Sequence, residues 1–525
     1  MATAREQLAQ FAAGSKALPK LCREYKKESA TVHLKELVGG ALSFYAAAAV
    51  AKTGGVHIFV AEDRDAAAYL LNDFYNLLDE KQVYFFPSSY KRSVAYGAED
   101  AQGVVQRTAA MNAVRGFTKG YLVVCTYPEA LAERVVDAAT LQRDTIAVKL
   151  GDKISIAVLE DALADANFTR VDFVYEPGQY SVRGGIVDVF SYSESKPYRI
   201  DFFGDEVDSI RRFNISSQLS ADKLDRVEIV PNLNAGEAPR VSFVQFAGSG
   251  ATCWFYDADY VLRRVNDLRR KVLADMEEPG QIDRLLTSRN VLLRDMAGNS
   301  VVALRDNLPE RPATVAVVFD TAPQPKFNKN FEMLADDMIR NSLRGYATYI
   351  LSENKVQVER LENIFHQIGR GQAAVRSLSV TLHEGFVDND LKLCLYTDHQ
   401  IFDRYQRYRI NGEIRRDEQM TVAELNQLRP GDYVVHIDHG VGRFDGLVKI
   451  NENGKVHEAI KLVYKDGDVL FVNVHSLHRI SRYKSGDGEP PKVYKLGNGA
   501  WQKLKNAAKK AVKDISVSYT HLRAH

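Results

Sequence analysis

The chain has 525 residues, 45% hydrophobic and 26% charged, a balance typical of globular domains and long enough for roughly three to four of them. A net charge of +1 leaves no global field to draw nucleic acid or a membrane, and no run approaches the ~20 apolar residues of a membrane span. Cys22, Cys125, Cys253 and Cys394 form no CxxC pair, and residues 1–23 lack the order of a signal peptide, so free thiols in a reducing cytoplasm are expected.

Residues 1–145 read as α/β. Strand-like runs at 31–34, 56–60, 83–86 and 121–125 alternate with helical patterns at 42–51, 63–78 and 103–115. Such alternation predicts a parallel sheet with helices on its faces. In that architecture a nucleotide sits in the loop after the first strand. Here the loop is Leu37-Val38-Gly39-Gly40-Ala41-Leu42-Ser43, with glycines but no lysine to reach a phosphate. A plain tight turn is expected, in a nucleotide-type fold that holds no nucleotide.

Residues 146–231 change character. Alternating runs at 171–175, 185–190 and 198–203, separated by Pro177-Gly178 and the 193–197 loop, predict a small antiparallel sheet. Strand alternation puts Tyr198, Ile200 and Phe202 on the core side, and Arg199, Asp201 and Phe203 on the other. Arginine and aromatic residues are enriched among interface hot spots, so that second face is a candidate protein-binding surface. A second layer of core covering Phe203 is the alternative. Arg183 precedes Gly184-Gly185, a pair suited to a bend or to close approach by a partner.

From 232 to 415 the pattern suggests more α/β, with strands at 315–319 and 347–351 and a fresh unit from about residue 328. Residues 403–417 are crowded with charge and read as a solvated linker. Short strands at 433–437, 442–450, 457–464 and 469–474, with turns at Asn453-Gly454 and Asp466-Gly467, predict a small all-β barrel. His436 and His439, like His475 and His478, are three apart, which on a strand points them to opposite faces, so neither pair chelates without a bend and no metal site is expected. Asp438 reads as a turn hydrogen bond. Residues 484–513 carry eight lysines against Asp487 and Glu489 and turn helical from about 500, a pattern that fits a solvated face or contact with phosphates. There is no GxSxG, HExxH, kinase set or complete Walker A, so no catalytic centre is expected.

Two long motifs carry a resemblance. Residues 181–190 (Ser-Val-Arg-Gly-Gly-Ile-Val-Asp-Val-Phe) and 197–211 (Pro-Tyr-Arg-Ile-Asp-Phe-Phe-Gly-Asp-Glu-Val-Asp-Ser-Ile-Arg) resemble the UvrA-binding module shared by UvrB and the bacterial transcription-repair coupling factors. Residues 431–444 (Gly-Asp-Tyr-Val-Val-His-Ile-Asp-His-Gly-Val-Gly-Arg-Phe) and 476–483 (Ser-Leu-His-Arg-Ile-Ser-Arg-Tyr) resemble the RNA-polymerase-interacting domain of the coupling factors, which UvrB lacks.

The resemblance implies a multidomain α/β protein. A degenerate UvrB-like, P-loop-type domain (1–145 and 232–328) carries an inserted α+β UvrA-binding module (146–231). A small α/β domain (329–415), a linker (416–428), a CarD-like or Tudor-like barrel (429–483) and a basic linker helix (484–515) follow. It implies that Arg183, Arg199 and Phe203 contact UvrA. Ile450 is implied to contact the RNA polymerase β subunit, through strand-edge pairing. Coupling factors are longer and carry two motor domains beyond this point. The chain is therefore expected to be a non-enzymatic N-terminal half, with 516–525 a non-native tail. No metal or cofactor is expected in it, since ATP and magnesium belong to the motors. A UvrB-like ATP-dependent repair helicase and a CarD-like transcription regulator are the rival readings, and non-specific DNA contact by the basic helix stays open.

Overall fold

The computed structural model describes residues 3–90, 100–215, 219–233, 238–276, 279–404, 428–436, 439–452, 455–473 and 480–482. The 405–427 part of the charged segment and linker, Asp438, the Asn453-Gly454 turn, His475, His478, the basic helix and the C-terminal tail lie outside them.

A seven-stranded sheet forms the largest unit, in the order Val315–Val318, Thr31–Lys35, Ser300–Ala303, Thr252–Phe255, Gly55–Val60, Tyr121–Thr126, Val83–Phe85. Every pairing is parallel. Parallel strands are covered on both faces and so read as continuous apolar runs, as Gly-Val-His-Ile-Phe-Val does at Gly55–Val60. The helices Ala41–Thr53, Arg64–Leu77, Ala101–Arg115 and Ala258–Asp275 contribute buried residues to the unit's core. Asp63 starts the second of these by accepting from the Ala66 amide at 2.8 Å. Three of the seven strands come from residues after 250, so a second unit interrupts this one.

The interrupting unit hangs from a two-stranded antiparallel ribbon, Ile146–Lys149 with Arg226–Ile229. Between them lies a six-stranded sheet in the order Ser220–Leu224, Glu206–Phe213, Tyr198–Phe203, Ile186–Val189, Gln179–Arg183, Thr169–Arg170. One face packs Val187, Val189, Tyr198, Ile200 and Ile210 against Leu159 and Leu163 of the helix Ile156–Asp165. The run at 171–175 is a loop and not the expected strand. Val171 still donates to the Tyr180 carbonyl at 2.9 Å, but beyond it the Gln179 side-chain oxygen takes the amides of Tyr175 and Glu176 at 2.8 and 3.0 Å, which satisfies that backbone without a partner strand.

A third unit is a mixed five-stranded sheet, Thr321–Pro323, Phe386–Asp388, Leu393–Thr397, Ala347–Leu351, Ser377–Leu378, with the helices Phe331–Leu343 and Lys355–Gln367. Leu378, Leu382, Phe386 and Leu395 join the core of the first unit, so the two are packed together.

The fourth is a five-stranded antiparallel sheet, Val469–Asn473, Lys455–Val463, Gly440–Glu452, Tyr433–His436, Ile480–Arg482, around Val434, Phe444, Ile460, Leu462 and Ile480. Among the described residues its two outer strands are not paired with each other. Asp466 and Gly467 form the expected tight turn with φ of 67° and 83°. The His436–His439 segment departs from the expectation that residues three apart diverge. The strand ends at His436, and the two rings lie 4.8 Å apart. No group of three or more metal-ligating residues is present among the described residues.

Candidate partner-binding face

The six-stranded sheet leaves one face outside its core. Registers align Ser181 with Asp188, Asp188 with Arg199, Arg199 with Arg211, and Arg211 with Lys223, so one polar row crosses five strands. Residues directly opposite on neighbouring strands are close enough for their side chains to pair.

Asp188 is the centre of that row. Its side chain is only 2% exposed. Arg199 donates to both of its oxygens, Nε to Oδ1 at 2.7 Å and Nη2 to Oδ2 at 2.8 Å. Arg183 Nη2 donates to Oδ2 as well. Each guanidinium also lies over a ring, Arg199 over Phe213 at 4.5 Å and Arg183 over Phe173 at 4.7 Å. Hydrogen bonding to Asp188 raises the Arg199 pKa above its ordinary value. One strand further on, Asp201 accepts from Ser209 and Arg211.

The four residues implied by the resemblance are placed unequally. Arg183 ends the strand Gln179–Arg183 at a two-residue turn, Gly184-Gly185, with Gly184 at φ 59°, and stays 36% exposed. Arg199 was expected on an open face, but it is 15% exposed, because Phe213 and Asp188 cover it. Phe203 is 84% exposed, at the end of the hairpin that turns through Gly204-Asp205. A register shift after Asp201 pairs Phe202 with Val207 and leaves Asp208 of the neighbouring strand as the extra residue, so the alternation along Tyr198–Phe203 continues. Ile450 holds a register position opposite His457 in the fourth sheet. Beside Arg183 an open hollow of about 400 Å³ is lined by Arg170, Asp172, Phe173 and Ser181. Sequence reasoning missed Asp188, whose only signal is a lone acid in the apolar run 186–190.

The loop at 37–43 is closed by the third unit. A Cβ placed on Gly40 would lie 2.1 Å from the Glu384 carbonyl oxygen. Ser43 donates to Asp73 Oδ2 at 2.7 Å, and the His383 amide donates to Asp73 Oδ1 at 2.7 Å. The His383 ring stacks on Tyr69 at 3.7 Å. Burial pushes the Asp73 carboxyl up to about 7, against the lowering effect of those two hydrogen bonds. The folded state therefore binds this proton more tightly than the unfolded chain. Its stabilising effect is complete below the ordinary value of 3.8 and is lost as pH rises through about 7. Asp73→Asn is expected to flatten that part of the stability profile, measured by denaturant unfolding between pH 4 and 8; a parent-like slope in the variant would count against this assignment.

Residues 146–234 match the family model of the UvrB interaction domain, and residues 428–484 match that of the CarD-like/TRCF RID domain. The chain is similar to the transcription-repair-coupling factor of Bacillus subtilis (24% identical over 92% of this chain and 48% of that protein). It is similar in the same way to that of Escherichia coli (24% identical, 94% of this chain, 48% of that protein) and to that of Staphylococcus haemolyticus (24% identical, 85% and 44%). The chain thus spans about half the length of the curated relatives it matches. No helix among the described residues is long and apolar enough to cross a membrane.

Proposed function

We propose that this chain is the recruiting half of a transcription-repair coupling factor, one that joins stalled RNA polymerase to UvrA for nucleotide excision repair. The observation that carries the reading is the pairing of two domain matches, a UvrB interaction domain and a CarD-like/TRCF RID domain, in one chain similar over most of its length to coupling factors. A CarD-like regulator accounts for the second match alone.

The UvrA surface is the cluster of Arg183 and Arg199 gathered on Asp188, with Phe203 as its apolar anchor. RNA polymerase is held by the 429–483 unit, read as a small barrel with Ile450 at the β-subunit contact. The basic stretch 484–515 joins this half to a motor. The chain itself works by binding in the cytoplasm, with no cofactor of its own. The closure of the 37–43 loop by the Glu384 backbone, where a P-loop would cradle phosphate, supports a non-catalytic role for the first unit.

The test is direct binding of purified UvrA and of core RNA polymerase to the chain, with an ATPase assay alongside. Saturable binding of both partners without ATP turnover is the expected result. Failure to bind UvrA would leave the second unit a scaffold, and ATP hydrolysis would favour a UvrB-like helicase.

A further inference from the structure

We infer that Asp188 is the positioning residue of the UvrA-binding face, fixing Arg183 and Arg199 as one fork without itself touching the partner. This rests on the proposed reading of that face. Asp188 sits mid-strand between Val187 and Val189, which point into the core, so its carboxylate lies on the opposite side of the sheet. The outer face of a sheet does not need an acid to hold its strands together. At 2% exposure the carboxylate is too enclosed to meet a partner. Both of its oxygens are spent on guanidinium groups, and two cations share one anion.

That sharing leaves one net positive charge, carried by groups whose planes are set twice, by Asp188 on one side and by Phe173 or Phe213 on the other. Arginine side chains lose much rotamer freedom when a partner immobilises them. Here the loss is taken on folding, so the fork meets its partner already ordered. Arg183, the more exposed of the two, is the tine that reaches outward, and Arg199 is the one that locks it.

The experiment is a double-mutant cycle on the full chain, read by UvrA affinity. Asp188→Asn keeps the shape and removes the charge, and Arg183→Ala removes the tine. Asp188→Asn is expected to weaken UvrA binding roughly tenfold in the parent and by less than about twofold in the Arg183→Ala background. Unchanged polymerase binding and a single cooperative unfolding transition report that the chain is folded, even where the lost ion pair lowers the melting temperature. A second route avoids the charge altogether: Phe173→Leu removes the ring under Arg183 and should weaken UvrA binding severalfold, again only when Arg183 is present. Parent-like affinity of both variants, or effects that add in full to that of Arg183→Ala, would overturn the positioning role. Failure of the parent to bind UvrA overturns the reading of the face and this inference with it.

Discussion

Replacing Phe203 with alanine should lower UvrA affinity roughly tenfold or more while leaving the melting of the chain unchanged. The two halves of that expectation have one cause. A side chain 84% exposed at a hairpin tip removes little apolar surface from water in the free protein, so folding loses little when it is truncated. A large exposed ring on the sheet that carries the cationic fork is the kind of anchor that becomes buried only when a partner closes over it.

Arg199→Ala should behave differently. It strips the bidentate partner from a carboxylate that is almost wholly enclosed, and Arg183 alone remains to balance it. Leaving a buried charge short of its partner costs about 2–3 kcal/mol, so this variant should lose stability as well as UvrA binding. Thermal unfolding beside UvrA titration separates the two. Equal melting temperatures for Phe203→Ala and Arg199→Ala would contradict the burial argument, and parent-like UvrA affinity in Phe203→Ala would remove Phe203 from the interface.

Gly40→Ala is expected to destabilise the packed first and third units by about 2–4 kcal/mol, although its backbone is compatible with alanine. Gly40 has φ of −64°, an ordinary helical value, so the cost is not conformational strain. It comes from the Glu384 carbonyl oxygen, 2.1 Å from where the methyl group would stand. Backbone cannot rotate aside as a flexible side chain can, so the 382–385 segment must lift from the helix N-terminus. That movement pulls the His383 amide from Asp73 and the His383 ring from Tyr69. Gly250→Ala, where no atom lies within 4 Å of the added methyl, is the control and should be nearly neutral. A Gly40→Ala chain melting with the control would show that the third unit does not rest on this loop.

Much of the first sheet was legible because buried parallel strands announce themselves locally. The run Val-His-Ile-Phe-Val at 56–60 and the run Leu-Val-Val-Cys at 122–125 are apolar on both faces and need no distant partner to be recognised. The strands that complete the sheet were less legible. Ser300–Ala303 and Val315–Val318 flank Thr31–Lys35, some 270 residues away in the chain, and no short-range pattern encodes that pairing. The 171–175 run misled for the opposite reason. Its alternation is strand-like, but the Gln179 side chain offered its amides an acceptor before any strand did.

The candidate face divides along the same line. Alternation along Tyr198–Phe203 by itself determined that Arg199 and Phe203 leave the sheet on one side, because the period of a strand is a property of the backbone. It did not determine that Phe203 stands in solvent while Arg199 lies under Phe213, since that cover comes from a neighbouring strand through hairpin register. The missing phosphate lysine was plain in the residues 37–43, but that a carbonyl from Glu384 takes the space is a fact of two units meeting. A lone acid at 188 was likewise visible, and its partners were not. Periodicity, turn chemistry and motif order are written in neighbours along the chain. Burial and charge pairing depend on neighbours in space, and only the tertiary structure supplies those.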